Sequence, residues 1–196
     1  MRATEILMGE HRVIERVLST LESAIERMSS KSARPGFFID AAGFIQGFAD
    51  AHHHKKEEDV LFEEMVACGL PKQDGPIAVM LAEHEQGREY TRAMLAAAQR
   101  WDGGDSQARD DVARNAQGYV ALLRQHIVKE DQVLYPMAAN VIPLDAQERM
   151  AETFERIEGD AAAARTRDKY LELAGVLERE IETWDTIDAG VPGERG

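Results

Sequence analysis

HHKKEEDVLF, residues 53–62, and HIVKEDQVLY, residues 126–135, are the two stretches whose reading decides the fold. Laid over one another they pair His53 with His126, Lys56 with Lys129, Glu57 with Glu130 and Glu58 with Asp131. Val60-Leu61-Phe62 then meets Val133-Leu134-Tyr135, all at an offset of 73 residues. The same offset carries His11 onto His84, within GEHRVIE and AEHEQGR. One offset for every pair makes chance a poor explanation. The chain reads as two copies of a helix–loop–helix unit, each with a lone His on its first helix and an H-x-x-x-E pair on its second.

Residues four apart on a helix share a face, about one turn apart. His53 with Glu57, and His126 with Glu130, can therefore each aim an imidazole and a carboxylate at one point. His11 and His84 supply further imidazoles from the facing helices. Imidazole with carboxylate suits iron, manganese or zinc rather than calcium or magnesium. Two Glu with four His form a sensible di-metal set. A single His in an apolar stripe is more often a hydrogen-bonded core residue, and one H-x-x-x-E is usually a solvated pair. That blander account must explain four such His at one offset. It must also bury two Glu without partners, at several kcal/mol each. The competing E-x-x-H di-metal pattern is absent, since neither EEDVLFEEM nor EREIE has a downstream His at the required spacing.

Working outward, the first helix is expected over residues 4–28, with an apolar stripe of Leu7, His11, Ile14, Leu18, Leu21, Ile25 and Met28. SSKSARPG breaks the chain, and a second helix over 37–67 stops at Cys68-Gly69-Leu70-Pro71. The third spans 77–101 up to Asp102-Gly103-Gly104, and the fourth spans 107–140, with Pro136 expected to kink or end its last turn. Short loops imply antiparallel neighbours, hence an all-α, up-down-up-down four-helix bundle over residues 1–142. Residues 143–196 read as a C-terminal helical extension, with Asp145 as an N-cap and periodic stretches over 146–157 and 165–184. Its end, GVPGERG, reads as frayed. These added helices are expected outside the bundle or against a second subunit, giving a homodimer.

The net charge of −13 argues against a nucleic-acid partner and against an anionic membrane surface. No run of about 18 apolar residues exists, and MRATEILMGEHRVIERV lacks the apolar stretch of a signal peptide. The expected location is the cytoplasm. The single cysteine, Cys68, implies no intramolecular disulfide and reads as a small apolar residue near a helix end.

The His-first order, with HHxKEExxLF and HxxKExxxLYP, resembles the hemerythrin family, in particular the bacterial "HHE" cation-binding domains, over about residues 4–140. The resemblance implies a di-iron centre with His11, His53, Glu57, His84, His126 and Glu130 as ligands, Glu57 and Glu130 bridging. Oxygen-carrying members have a further His four residues after the one matched by His84. Here that place holds Arg88, which departs from the reversible carriers. A guanidinium cannot ligate iron, but it can pair with a carboxylate or attract an anionic ligand.

His54, beside His53 and about 100° round the helix, is the expected substitute seventh ligand, with Glu85 a weaker one. Glu58, Asp131, Lys56 and Lys129 read as a solvated salt-bridge face, with orientation of the imidazoles as the other option. Gly87 leaves space near the centre, and Tyr119 could reach a ligand there, though core packing is the plainer reading. The implied function is a binding module for oxygen, nitric oxide or peroxide, serving sensing, storage or detoxification. The alternatives are an enzyme that consumes peroxide or nitric oxide or repairs iron-sulfur clusters, and a protein of iron storage or delivery.

Overall fold

A computed structural model describes residues 3–29 and 31–188. All regular structure among the described residues is helical. Six continuous helices run in chain order: α1 (Ala3–Glu26), α2 (residues 35–67), α3 (Pro76–Asp102), α4 (residues 108–141), α5 (Leu144–Gly159) and α6 (Ala161–Asp188). The ends lie within a few residues of the expected ones. α2 stops as its sequence dictates: Gly69, at φ 98°, donates to Val66 O, and Leu70 donates back to Met65 O. Gly104 closes α3 in the same way, at φ 101°. A left-handed glycine with these two bonds satisfies the last free carbonyls of a helix.

Two helices carry geometry the sequence did not announce. α2 is π-helical over Ile45–His54 and again over Glu57–Leu61, and α4 over Glu130–Leu134. The last two stretches stand 73 residues apart, so the wider turn belongs to the repeat. Pro136 is not its cause, because the matching residue in the first copy is Glu63. The expectation that Pro136 kinks or ends α4 is therefore corrected. It stands in the opening turn of the resumed α-helix, and the helix continues to Val141. At that position a missing N–H leaves the hydrogen bonding intact. Asp145 is likewise not an N-cap; Pro143 holds that place, and Asp145 sits in the first turn of α5, paired with Arg149.

The buried apolar residues form two clusters. One gathers Leu18, Phe37, Phe38, Phe48, Met94 and Leu123 among others; the other gathers Leu7, Phe62, Met65, Ile77 and Leu134. Each fully buried Leu or Phe contributes about 1.5–3 kcal/mol. On α1 the order is Leu7, His11, Ile14, and on α2 it is Phe48, His53, Leu61. On α3 it is Met80, His84, Met94, and on α4 Ile127, Glu130, Leu134. Every one of the four helices thus passes a buried polar residue between the two apolar clusters, and the direction of passage alternates from helix to helix.

The C-terminal helices lie against their own chain. α6 packs on α1 and α2, and α5 packs on α1 and α6. Phe154 is fully buried, and Trp184 meets Phe37 at 5.2 Å between ring centroids. A Cβ at Gly47 would fall 1.8 Å from the Tyr170 ring, so only glycine lets α6 approach α2 this closely. Arg16–Glu178 and Arg34–Glu180 tie α6 across at the surface. The reading of GVPGERG falls outside the described residues. No helix among the described residues is long and apolar enough to cross a membrane.

Candidate metal centre

The polar layer between the two apolar clusters contains His11, His53, His54, Glu57, His84, His126 and Glu130, all buried. The structure brings all seven residues named from the sequence together. Ligand atoms of His11, His53, Glu57 and Glu130 lie within 4.8 Å of one another, and so do those of His54, Glu57, His84 and His126. Glu57 belongs to both groups. Glu130 also faces the second, 3.2 Å from His126 Nε2 and 3.9 Å from His84 Nε2. The residues thus form two adjoining groups that could each hold a cation, one with two histidines and one with three.

Each of four imidazoles is held from behind. The Nδ1–H of His11 donates to Asp131 at 2.7 Å, and that of His84 to Glu58 at 2.7 Å. Those of His53 and His126 donate to Glu10 and Glu83, both at 2.9 Å. These four pairs obey the 73-residue offset throughout. A carboxylate on Nδ1–H fixes the tautomer that turns the Nε2 lone pair inward and makes it a better ligand. Glu58 and Asp131 therefore orient imidazoles, which corrects the reading of them as a solvated face. Lys56 is buried between Glu10 and Glu158, while Lys129 is half exposed on Glu83. Arg12 caps Asp131 as Arg88 caps Glu58.

Some of the inward atoms lack a hydrogen bond, although His84 Nε2 lies 3.1 Å from His126 Nε2 and Tyr135 serves Glu57 Oε1. His53 Nε2, Glu57 Oε2 and both Glu130 oxygens are buried without a hydrogen bond. An unpartnered buried carboxylate costs several kcal/mol, so this donor set fits a group of positive charge that binds nitrogen and oxygen. Burial and the nearby Glu130 charge push Glu57 well above the usual carboxylate range. Burial opposes the charge on Glu130 too, yet His126 and His11 hold it well below that range. Burial lowers His53, His54 and His84 to about 3. Burial also opposes charge on His126, but Glu130 and Glu83 outweigh it and lift the group to about 9.

Several residues were misplaced or missed by sequence reasoning. Glu85 is exposed and paired with Arg92, away from the centre. Arg88 donates to Asp50 at 2.8 Å and to Glu58 at 2.7 Å, so its charge is already matched. Of the two roles expected for it, carboxylate pairing is the one observed. His52 donates towards Glu10 at 3.0 Å and belongs to neither of the two four-residue groups; it lies with Glu10 and Glu158 instead. Glu10 and Glu83 were not singled out, although each precedes a paired His at the common offset. Tyr135 was also missed: its hydroxyl donates to Glu57 Oε1 at 2.6 Å, and its ring lies over His11 at 5.5 Å. Gly87 and Tyr119 line a cavity of about 250 Å3 that reaches His54 and His84.

Comparison with known proteins agrees with this geometry. A family model described as the hemerythrin HHE cation binding domain matches residues 2–138. An uncharacterised protein of Mycobacterium tuberculosis is 30% identical over 176 residues, covering 87% of this chain and 68% of the relative. An uncharacterised protein of Mycobacterium bovis matches to the same extent. No solved structure matches.

Proposed function

This chain belongs to the hemerythrin HHE cation-binding family, and from that premise we propose that it is a non-haem di-iron protein that binds a small diatomic or peroxide ligand for sensing, storage or detoxification. The observation that carries the reading is the set of buried inward atoms without partners, each imidazole of the repeat backed by its own carboxylate. Two cations would offset the charge of two fully buried carboxylates. Four-helix placement supports it: the alternating passage of α1 to α4 between the apolar clusters is that of an up-down-up-down bundle.

In this reading His11 and His53 would hold one iron, His54, His84 and His126 would hold the other, and Glu57 and Glu130 would serve both. His54 takes the part of the seventh ligand that Arg88 cannot play. The irons would supply reversible one-electron chemistry and a coordination position. The chain supplies the rest: carboxylates that hold each imidazole in register, an apolar cluster on either side that keeps water out, and a Tyr135 hydroxyl that fixes the orientation of Glu57. Elemental analysis of protein from iron-replete cells tests the proposal. About two metal ions per chain, mainly iron, is the expected result. Fully folded protein that takes up no metal would overturn it.

A further inference from the structure

One imidazole of the centre is held unlike the others. His11, His53, His84 and His126 are each anchored by a carboxylate at 2.7–2.9 Å. His54 Nδ1 stands 3.7 Å from Asp50, is buried, and makes no hydrogen bond. Asp50 is already taken by Arg88. His54 also ends the ten-residue π-helical stretch Ile45–His54, a rare backbone form that recurs at functional sites. The second copy offers no equivalent, because Ile127 stands at the matching place.

The cavity of about 250 Å3 ends on this imidazole. His84, Gly87 and the buried Tyr119 form its inner wall with His54, and Arg88 and Asp50 stand nearer the mouth. By a similar measure about 10–15 Å3 admits one water, so this space accepts a molecule of several heavy atoms. The Tyr119 hydroxyl is buried without a partner. Arg88 has two carboxylates within 2.8 Å, and Glu85 stands 3.6 Å away. It therefore has no charge to offer an anion. On the far side of the centre, the Tyr135 hydroxyl already fills the space 3.3 Å from His11 Nε2.

Building on the di-iron reading, we propose that the exogenous ligand is a small neutral molecule with a hydrogen-bonding oxygen or nitrogen, that it enters through this cavity, and that it displaces His54. The step is an exchange of lone-pair donors. With metal bound, the His54 nitrogen would give up its place to the incoming atom, and the Tyr119 hydroxyl would bond the far end of the ligand. No electron or proton changes hands.

Imidazole is the probe, because it is the side chain of His54 detached and is mostly unprotonated at about pH 8. It is titrated into wild type, His54→Ala and His54→Ala/Gly87→Leu. The visible spectrum reads the iron-loaded forms, and nuclear magnetic resonance reads both loaded and metal-free forms. His54→Ala should differ from wild type in spectrum and return to it on saturation. Wild type should bind imidazole at least about tenfold more weakly, since His54 must leave. The leucine should weaken rescue about tenfold or more by filling the cavity; Gly87→Val serves where leucine is not tolerated. No spectral change in iron-loaded wild type at saturating imidazole, equal binding to wild type and His54→Ala, or rescue untouched by the filled cavity, overturns the proposal. The metal-free resonance titration reads occupancy of the cavity by itself, so a failure of the di-iron reading shows in metal analysis and remains distinct.

Discussion

The two copies of the repeat agree behind the imidazoles and differ in front of them. Behind, Glu10 and Glu83 hold His53 and His126, and Asp131 and Glu58 hold His11 and His84, as matched pairs. In front, His54 faces the first copy's partner group where the second copy has Ile127, and Tyr135 stands where the first copy has Phe62. Coverage differs as well. α5 brings Glu158 down onto Lys56, whereas Lys129 keeps 40% of its side chain exposed. A symmetric support thus carries an asymmetric pair of ligand groups, one with three imidazoles beside a cavity, the other with two beside a buried hydroxyl. The matched residues support the imidazoles in both copies; the unmatched residues are what make the two groups differ.

The sharpest way to break that comparison is to remove a carboxylate that both positions share. Glu57→Ala and Glu130→Ala should each drop metal content from about two ions per chain to below about one. The metal-free forms should resist heat at least as well as metal-free wild type, because a buried carboxylate has been removed. Calorimetry alongside elemental analysis checks both halves. Retention of two ions by either variant would place the bridging groups elsewhere.

The matched support makes a paired prediction. Asp131→Asn and Glu58→Gln each weaken one imidazole from behind, and loss of such a partner typically costs tenfold to hundredfold in metal affinity. The two losses should agree within about threefold of each other, by competition against a chelator. A large loss for Asp131→Asn with none for Glu58→Gln would mean that His84 is not held for a metal.

Much of this is legible in the sequence. The helices were readable because apolar stripes keep the helical period and Gly and Pro stand at the stops. The inward residues were readable because the offset of 73 repeats His and Glu together. What stayed hidden depends on contacts between helices. Glu10 and Glu83 share the offset, yet an acidic residue beside a His on one helix says nothing of the imidazole it meets on another. Glu58 and Asp131 looked solvated for the same reason. Tyr135 sat inside an apolar run, so its hydroxyl had no apparent use. The π-helical turns leave no mark in composition; they appear only when Glu57 and Glu130 must be turned inward together.

Unequal coverage predicts unequal lysines. Lys56→Met leaves Glu10 and Glu158 without their shared cation in a buried place, and should lower stability by about 1–3 kcal/mol. Lys129→Met loses an ion pair whose lysine is 40% exposed, expected at about 0–1 kcal/mol. Urea unfolding of both variants checks the order. Equal losses would mean that α5 does not seal the first copy.

The smallest effect is expected at His52, and it tests the register on which everything above rests. His52 precedes His53, so a shift of one residue along α2 would exchange their roles. Its Nε2 lies 3.0 Å from Glu10 Oε1, and its match at the common offset is Gln125, which cannot replace an imidazole. After His52→Ala, Glu10 still accepts from His53 Nδ1 at 2.9 Å and still pairs with Lys56. The imidazole that faces inward therefore keeps its support. Metal content should stay at about two ions per chain, and stability should fall by about 0.5–1.5 kcal/mol for one lost hydrogen bond. Elemental analysis with urea unfolding measures both. If His52→Ala sheds metal while Glu57→Ala retains it, α2 presents the wrong face and the two copies were aligned one residue out of step.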